Sequence, residues 1–297
     1  MSEPIPTLWP GAYRSALVLT VDYADVLGIL SRVPAMANRD KSLSVWRYGS
    51  QRGVERLLKI LDEAKVSTSW CLPGKVAETH PSLVADIHAA GHEIACSGYA
   101  YEDFSQLDAP AQRDVLLRGR DALSALTGRM PKGFRLPAGA WSRGFEDELL
   151  AAGFSWSSSW RGDDLPYRHP LAPKLIELPL HYELDDEAYF AFNLSPPVPS
   201  GQPRIAGYRA TLANWQADLD GFDRFELCAV MRLRPEIIAT PGRAPLLREL
   251  LAWLNERSSC WIARAEEVAD WWSEWGPPLP ADHPAQAFVR YRDGCHE

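Results

Sequence analysis

A parallel α/β fold is predicted by three features of this sequence: a short apolar run at 15–22 that ends in a carboxylate, segments of strand composition that return along the chain, and helical apolar faces between them. Alternation of this kind favours a sheet whose parallel strands are joined by helical crossovers. The length allows it, because 297 residues with 46% hydrophobic content can bury a sizeable core.

The first run, Ser-Ala-Leu-Val-Leu-Thr-Val-Asp, is apolar enough for a buried parallel strand and delivers Asp22 at its C-terminal edge. Val54, Leu57, Leu58 and Leu61 then recur at helical spacing and give the next segment an apolar face. Residues 66–72 return to strand composition. A helix at 81–90 follows, stopped by Gly91, and a short strand at 92–96 continues the alternation. Later strands are predicted at 133–136, 154–159, 174–178, 226–231 and 259–263. Helices are predicted at 110–127, 143–152, 207–219, 244–256 and 265–273. Turn-forming residues across 193–206 predict a long surface loop, and Pro277, Pro278, Pro280 and Pro284 predict an irregular tail. No repeat or linker divides the chain, so residues 1–297 are expected to form one domain with an N-terminal extension.

Composition narrows the partners. A net charge of -8 argues against general nucleic-acid binding, which needs a concentrated basic face. No apolar run approaches the ~20 residues needed to span a bilayer, so no membrane partner is expected. Met1 to Pro6 shows no basic region followed by an apolar stretch, and the five cysteines lack a Cys-x-x-Cys pair; both point to reduced thiols and a cytoplasmic location.

The stretch Gly91-His92-Glu93-Ile94-Ala95-Cys96-Ser97-Gly98-Tyr99-Ala100-Tyr101 resembles the second motif of the polysaccharide deacetylase superfamily, where Gly-His-Glu-Ile leads into a His-x-x-x-His metal pair. Thr20-Val21-Asp22 is similar to the first motif, and Phe134-Arg135-Leu136-Pro137-Ala138-Gly139-Ala140-Trp141-Ser142 to the third. Tyr48-Gly49 through Leu61, Asp163 to Tyr167, and Glu177 to Tyr182 with Asp185-Asp186 resemble the allantoinase-like and cyclic-imidase-like branch. The likeness runs over roughly residues 15 to 275. It implies a distorted, incomplete (β/α) barrel of about seven parallel strands, with its chemistry on the loops that follow the strands. Related imidase-like barrels assemble, and with twelve tryptophans in this chain a homo-oligomer is expected.

The resemblance also assigns roles. In a metal-dependent member, an aspartate and two histidines hold the cation; here those positions carry Ala24, Ser97 and Tyr101. A hydroxyl or an un-ionised phenol is a poor ligand beside a neutral imidazole, so no cofactor and no catalytic zinc is expected. Asp22 falls on the catalytic base and Arg135 on the residue that orients it. His181 matches a pocket histidine of the imidase-like branch. Arg234 falls on the general-acid histidine; a permanent cation cannot donate that proton but can hold an anion or oxyanion. Ser97, Tyr101 and Trp141 are the remaining substrate contacts. An oxygen-only site for magnesium or calcium from Asp22, Asp25, Glu102 and Asp103 is an alternative.

The expected function is hydrolysis of a non-peptide carbon–nitrogen bond in a small molecule such as a cyclic ureide, an imide or an N-acyl compound. The alternative is a catalytically inactive deacetylase-like protein that binds an acidic ligand or supports an assembly.

Overall fold

The sheet is organised around one strand. In the computed structural model, which describes residues 8–140, 142–191 and 205–292, β1 (Ser15–Asp22) is buried along its whole length. The other strands are β2 (Ser69–Leu72), β3 (Glu93–Cys96), β4 (Gly133–Phe134), β5 (Trp156–Ser157), β6 (Tyr167–Arg168), β7 (Ile176–Glu177), β8 (Cys228–Leu233) and β9 (Cys260–Ala263). Their order is β6-β7-β5-β4-β3-β2-β1-β8, with β9 paired to β1. One edge of β1 is covered by β8; the other is shared between β9 at its start and β2 at its end. Every pairing is parallel except β6 with β7. The α/β class and the incomplete barrel are as the sequence implied, but the described residues form nine strands rather than about seven. The antiparallel β6 is only two residues long, inside a stretch of prolines and acids that carries no strand pattern.

Alternation along β1 divides the molecule. Leu17, Leu19 and Val21 pack into a large cluster with the outer helices, among them Val54–Ala64, Ala109–Thr127 and Ala244–Asn255. Ala16 and Val18 point the other way, into a second cluster with Trp9, Trp156, Cys228, Val230 and the helix Ala265–Trp275. Thr20 and Asp22 continue this second face by the period of two. Trp156 lies so close to β4 that a Cβ on Gly133 would fall 1.9 Å from its ring, which reserves that position for glycine.

The predicted helices appear near their expected positions. Five more, Leu27–Arg32, Asp40–Tyr48, Gly74–Thr79, Asp186–Phe190 and Pro235–Ile238, are short pieces with no strong apolar period. All five lie in segments that follow strand ends or roof the same end of the sheet. The tail departs from expectation: a turn at Pro284–Gln286 leads into a helix at Ala287–Arg292. Most of the 193–206 loop and all of Trp141 lie outside the described residues. Among the described residues no helix is long and apolar enough to cross a membrane.

Candidate active site at the strand ends

Parallel register brings the first charged pair together. Thr20 stands opposite Arg232 on β8, and Asp22 ends the same face of β1. Arg135 follows β4 directly, and its Nη1 donates to Asp22 Oδ1 at 2.7 Å and to Thr20 Oγ1 at 2.8 Å. Its Nε and Nη2 donate to the carbonyl and hydroxyl oxygens of Ser158, so the guanidinium is locked. Arg232 takes the second carboxylate oxygen: its Nε and Nη2 lie 3.1 and 2.9 Å from Asp22 Oδ2. Its Nη1 reaches Asp185 at 3.1 Å. Burial opposes ionisation of Asp22, but Arg135, Arg232 and Arg234 overcome it and hold the carboxyl well below the usual range.

Arg234 is saturated. Its guanidinium engages Asp185, Asp186 and Glu187, at 3.0 Å to Asp186 and 2.8 Å to Glu187, while its backbone N–H donates to Asp186 Oδ2 at 2.8 Å. The resemblance leads one to expect an anion or oxyanion on this arginine, whereas its charge faces three carboxylates of the chain itself. Ser97 is also committed: buried in the wall, its Oγ donates to the carbonyl oxygen of Arg135 at 2.8 Å.

A cavity of about 200 Å³ opens over these strand ends. Asp22 and Tyr101 line it together with Asp25, Trp46, Phe190 and Glu236, while Arg32, Arg234 and Arg243 supply cations. Its volume lies below the ~300 to 1,000 Å³ typical of drug-sized ligands, which points to a small molecule. Tyr101 is presented by a closed loop in which Glu102 accepts the N–H groups of Tyr99 and Ala100. Both Tyr101 and Asp25 adopt left-handed backbone, at φ 66° and 48°. Non-glycine residues held there are uncommon and concentrate where surrounding structure fixes a functional geometry. Among the described residues the Tyr101 hydroxyl makes no hydrogen bond, and burial, reinforced by Asp22, raises its pKa and keeps the phenol protonated.

His181 is placed elsewhere. It is fully buried beside β8, with Nδ1 accepting from the Val230 N–H at 3.1 Å and its ring edge-on to Phe222. Burial lowers its pKa, and it does not line the cavity. The four acids considered for an oxygen-only site also disperse. Asp22 faces arginines, Asp25 accepts from Ser50 and lies 3.2 Å from His80, Glu102 closes its own loop, and Asp103 caps the turn at Phe104–Gln106. Among the described residues no three His, Cys, Asp or Glu side chains converge as a metal ion requires.

Arg232, Glu236 and Arg243 also belong to the site, although the sequence assigns none of them a role. Arg232 had a signal, because Cys228, Val230 and Arg232 alternate on one face of a strand. Glu236 follows Arg234 and Pro235 at the roof; burial raises its carboxyl to about 7, and its Oε2 has no hydrogen-bond partner among the described residues. Arg243, far along the chain, had no signal at all.

The sheet forms an incomplete α/β barrel with a charged cavity at its strand ends, and comparison with known proteins gives its family. The polysaccharide deacetylase model matches residues 40–156. A solved structure from Mycobacterium smegmatis assigned to the polysaccharide deacetylases is 31% identical, with a TM-score of 0.86 over 93% of this chain and 96% of that one. The chain belongs to the polysaccharide deacetylase family. A peptidoglycan deacetylase-like protein of Gibberella zeae is 32% identical over 71% of this chain, which spans 61% of that relative. An allantoinase structure shares the fold at 21% identity, with a TM-score of 0.78 over 94% of this chain and 96% of that one.

Proposed function

We propose that this family member hydrolyses a non-peptide carbon–nitrogen bond in a small N-acyl compound, cyclic ureide or imide, without catalytic zinc. The observation that carries the reading is a small cavity at the strand ends that joins an anchored carboxylate, Asp22, to a protonated phenol, Tyr101, and a carboxyl that titrates near neutrality, Glu236. The site does not fit a divalent cation. Both oxygens of Asp22 already carry guanidinium donors, Ser97 Oγ faces a carbonyl, and Ala24 offers no ligand.

A carboxyl with a pKa near the working pH is suited to moving a proton, and one held far below it is not. Glu236 in its ionised form takes the proton of a water whose oxygen bonds to the carbonyl carbon. Tyr101 donates a hydrogen bond to the carbonyl oxygen as negative charge builds there. The carbon–nitrogen bond then breaks, and Glu236 returns the proton to the leaving nitrogen. Asp22, fixed by Arg135, orients the water at the floor of the cavity. A strained or activated ring amide, such as an imide, opens more readily than an acetamide, which suits a site with this electrostatic equipment.

The second reading, a deacetylase-like binding protein, draws support from the saturation of Asp22 and Arg234. Turnover assays on cyclic ureides, imides and N-acetyl sugars decide between them. Hydrolysis of at least one class, lost in Glu236→Gln, is the expected result; no turnover of any class rejects the hydrolase reading.

A further inference from the structure

The cations of the cavity are unequally matched. Arg234 is paired with three acids, and Arg32 lies 3.6 Å from Glu187. Arg243 has no carboxylate partner among the described residues, although only 9% of its surface is exposed. One end of its guanidinium is anchored: Nη1 donates to the carbonyl oxygen of Ile237 at 2.8 Å, and the group lies 4.8 Å from the centre of the Phe190 ring. Nε is buried with no hydrogen-bond partner, and Nη2 makes no hydrogen bond among the described residues. A buried charge ordinarily finds a counter-ion, because removing it from water alone is costly.

The shape of the free edge identifies the ligand chemistry. Nε and Nη2 form the side-on fork of an arginine, two parallel N–H donors spaced for the two oxygens of a carboxylate. The aromatic face of Phe190 and the bond to Ile237 hold that fork in one orientation, so little freedom remains to be lost on binding. Other charges in the cavity do not compete for it. Asp22, Asp25 and Glu187 each have partners within the protein, and burial favours the neutral form of Glu236.

We propose that Arg243 is the anion-recognition residue of this cavity and that its ligand carries a carboxylate. On the hydrolase reading, which this inference extends, the substrate is then a small N-acyl or ring-amide acid, with its carboxylate on Arg243 and its amide between Tyr101, Glu236 and Asp22. Recognition of the carboxylate itself does not depend on turnover.

The test is calorimetric titration of the full chain with N-acetylglycine and with its neutral counterpart, N-acetylglycine methylamide. Hydrogen bonds to a charged group predict a preference for the acid of roughly 10- to 100-fold. Arg243→Gln should abolish the preference, and Arg243→Lys, which keeps the charge but not the fork, should restore part of it; melting curves check that both variants fold. Equal binding of the two probes, no binding of either, or a preference that survives in folded Arg243→Gln overturns the proposal. Preference without turnover of any amide rejects the hydrolase reading alone, and turnover without preference rejects the carboxylate subsite alone.

Discussion

Arg232 lies 2.9 Å from the Oδ2 oxygen of Asp22, on the side of the carboxylate that Arg135 leaves open. The two strands that carry this pair run parallel, and Thr20, two residues before Asp22, stands opposite Arg232. The contact is therefore built into the sheet register rather than into a mobile loop. Positive charge reaches Asp22 from protein side chains on both of its oxygens.

Asp22→Asn should lose hydrolysis and also weaken the fold. The amide keeps the shape of the carboxylate but leaves Arg135 and Arg232 short of one buried negative charge. Breaking such a pair costs about 3 to 5 kcal/mol when it is fully buried. Chemical denaturation checks the size. Because the native pKa of Asp22 is depressed, its stabilising contribution is complete above the unfolded value of about 4 and fades as pH falls below it. The gap between wild type and variant should thus narrow in acid.

Arg234→Ala should chiefly destabilise. It strips the shared cation from Asp185, Asp186 and Glu187, which face one another in a mostly buried cluster. A loss of about 3 to 5 kcal/mol is expected in unfolding titrations. Unchanged stability with weaker binding of an anion would return this arginine to the ligand-binding role.

Glu236→Gln should lower turnover by about 10²- to 10⁴-fold, the range for loss of a positioned proton carrier. Its stability effect has the opposite sign to that of Asp22→Asn. Burial raises the native pKa to about 7, so wild type loses stability as pH rises from the unfolded value near 4.3 through 7, while glutamine does not. Melting temperatures should show the variant gaining on wild type between pH 5 and pH 8.

His181→Ala should reduce stability and spare the chemistry. It leaves the buried Val230 N–H without its acceptor, a penalty of about 1 to 3 kcal/mol. His181→Asn, which can offer an amide oxygen to the same N–H, should recover part of it. A fall in kcat for folded His181→Asn, with KM unchanged, would place the imidazole in the reaction.

How far the sequence disclosed this site depended on how local each contact is. The strand ending in Asp22 and the arginine after β4 were legible because apolar runs and motif order fix strand ends. The partners of Arg234 were not, since its bonds to Asp185, Asp186 and Glu187 join residues nearly fifty positions apart and arise only when β8 and the 185–190 segment pack together. His181 shows the converse: a likeness to a pocket histidine says nothing of side-chain direction, and the backbone sets its ring against β8. Nothing local marked Arg243, whose meaning comes from the carboxylate it lacks. β6 was missed because a two-residue antiparallel strand has no period to read.

On the proposed function, protein charges with no bound zinc support hydrolysis over Asp22. The most direct measurement is turnover of the best amide substrate by protein dialysed exhaustively against a chelator, with zinc content determined by elemental analysis on the same sample. We expect the rate to match that of untreated protein at far less than one zinc per chain, and added zinc to leave it unchanged. Activity that disappears on chelation and returns as zinc approaches one per chain would make the protein a zinc hydrolase instead.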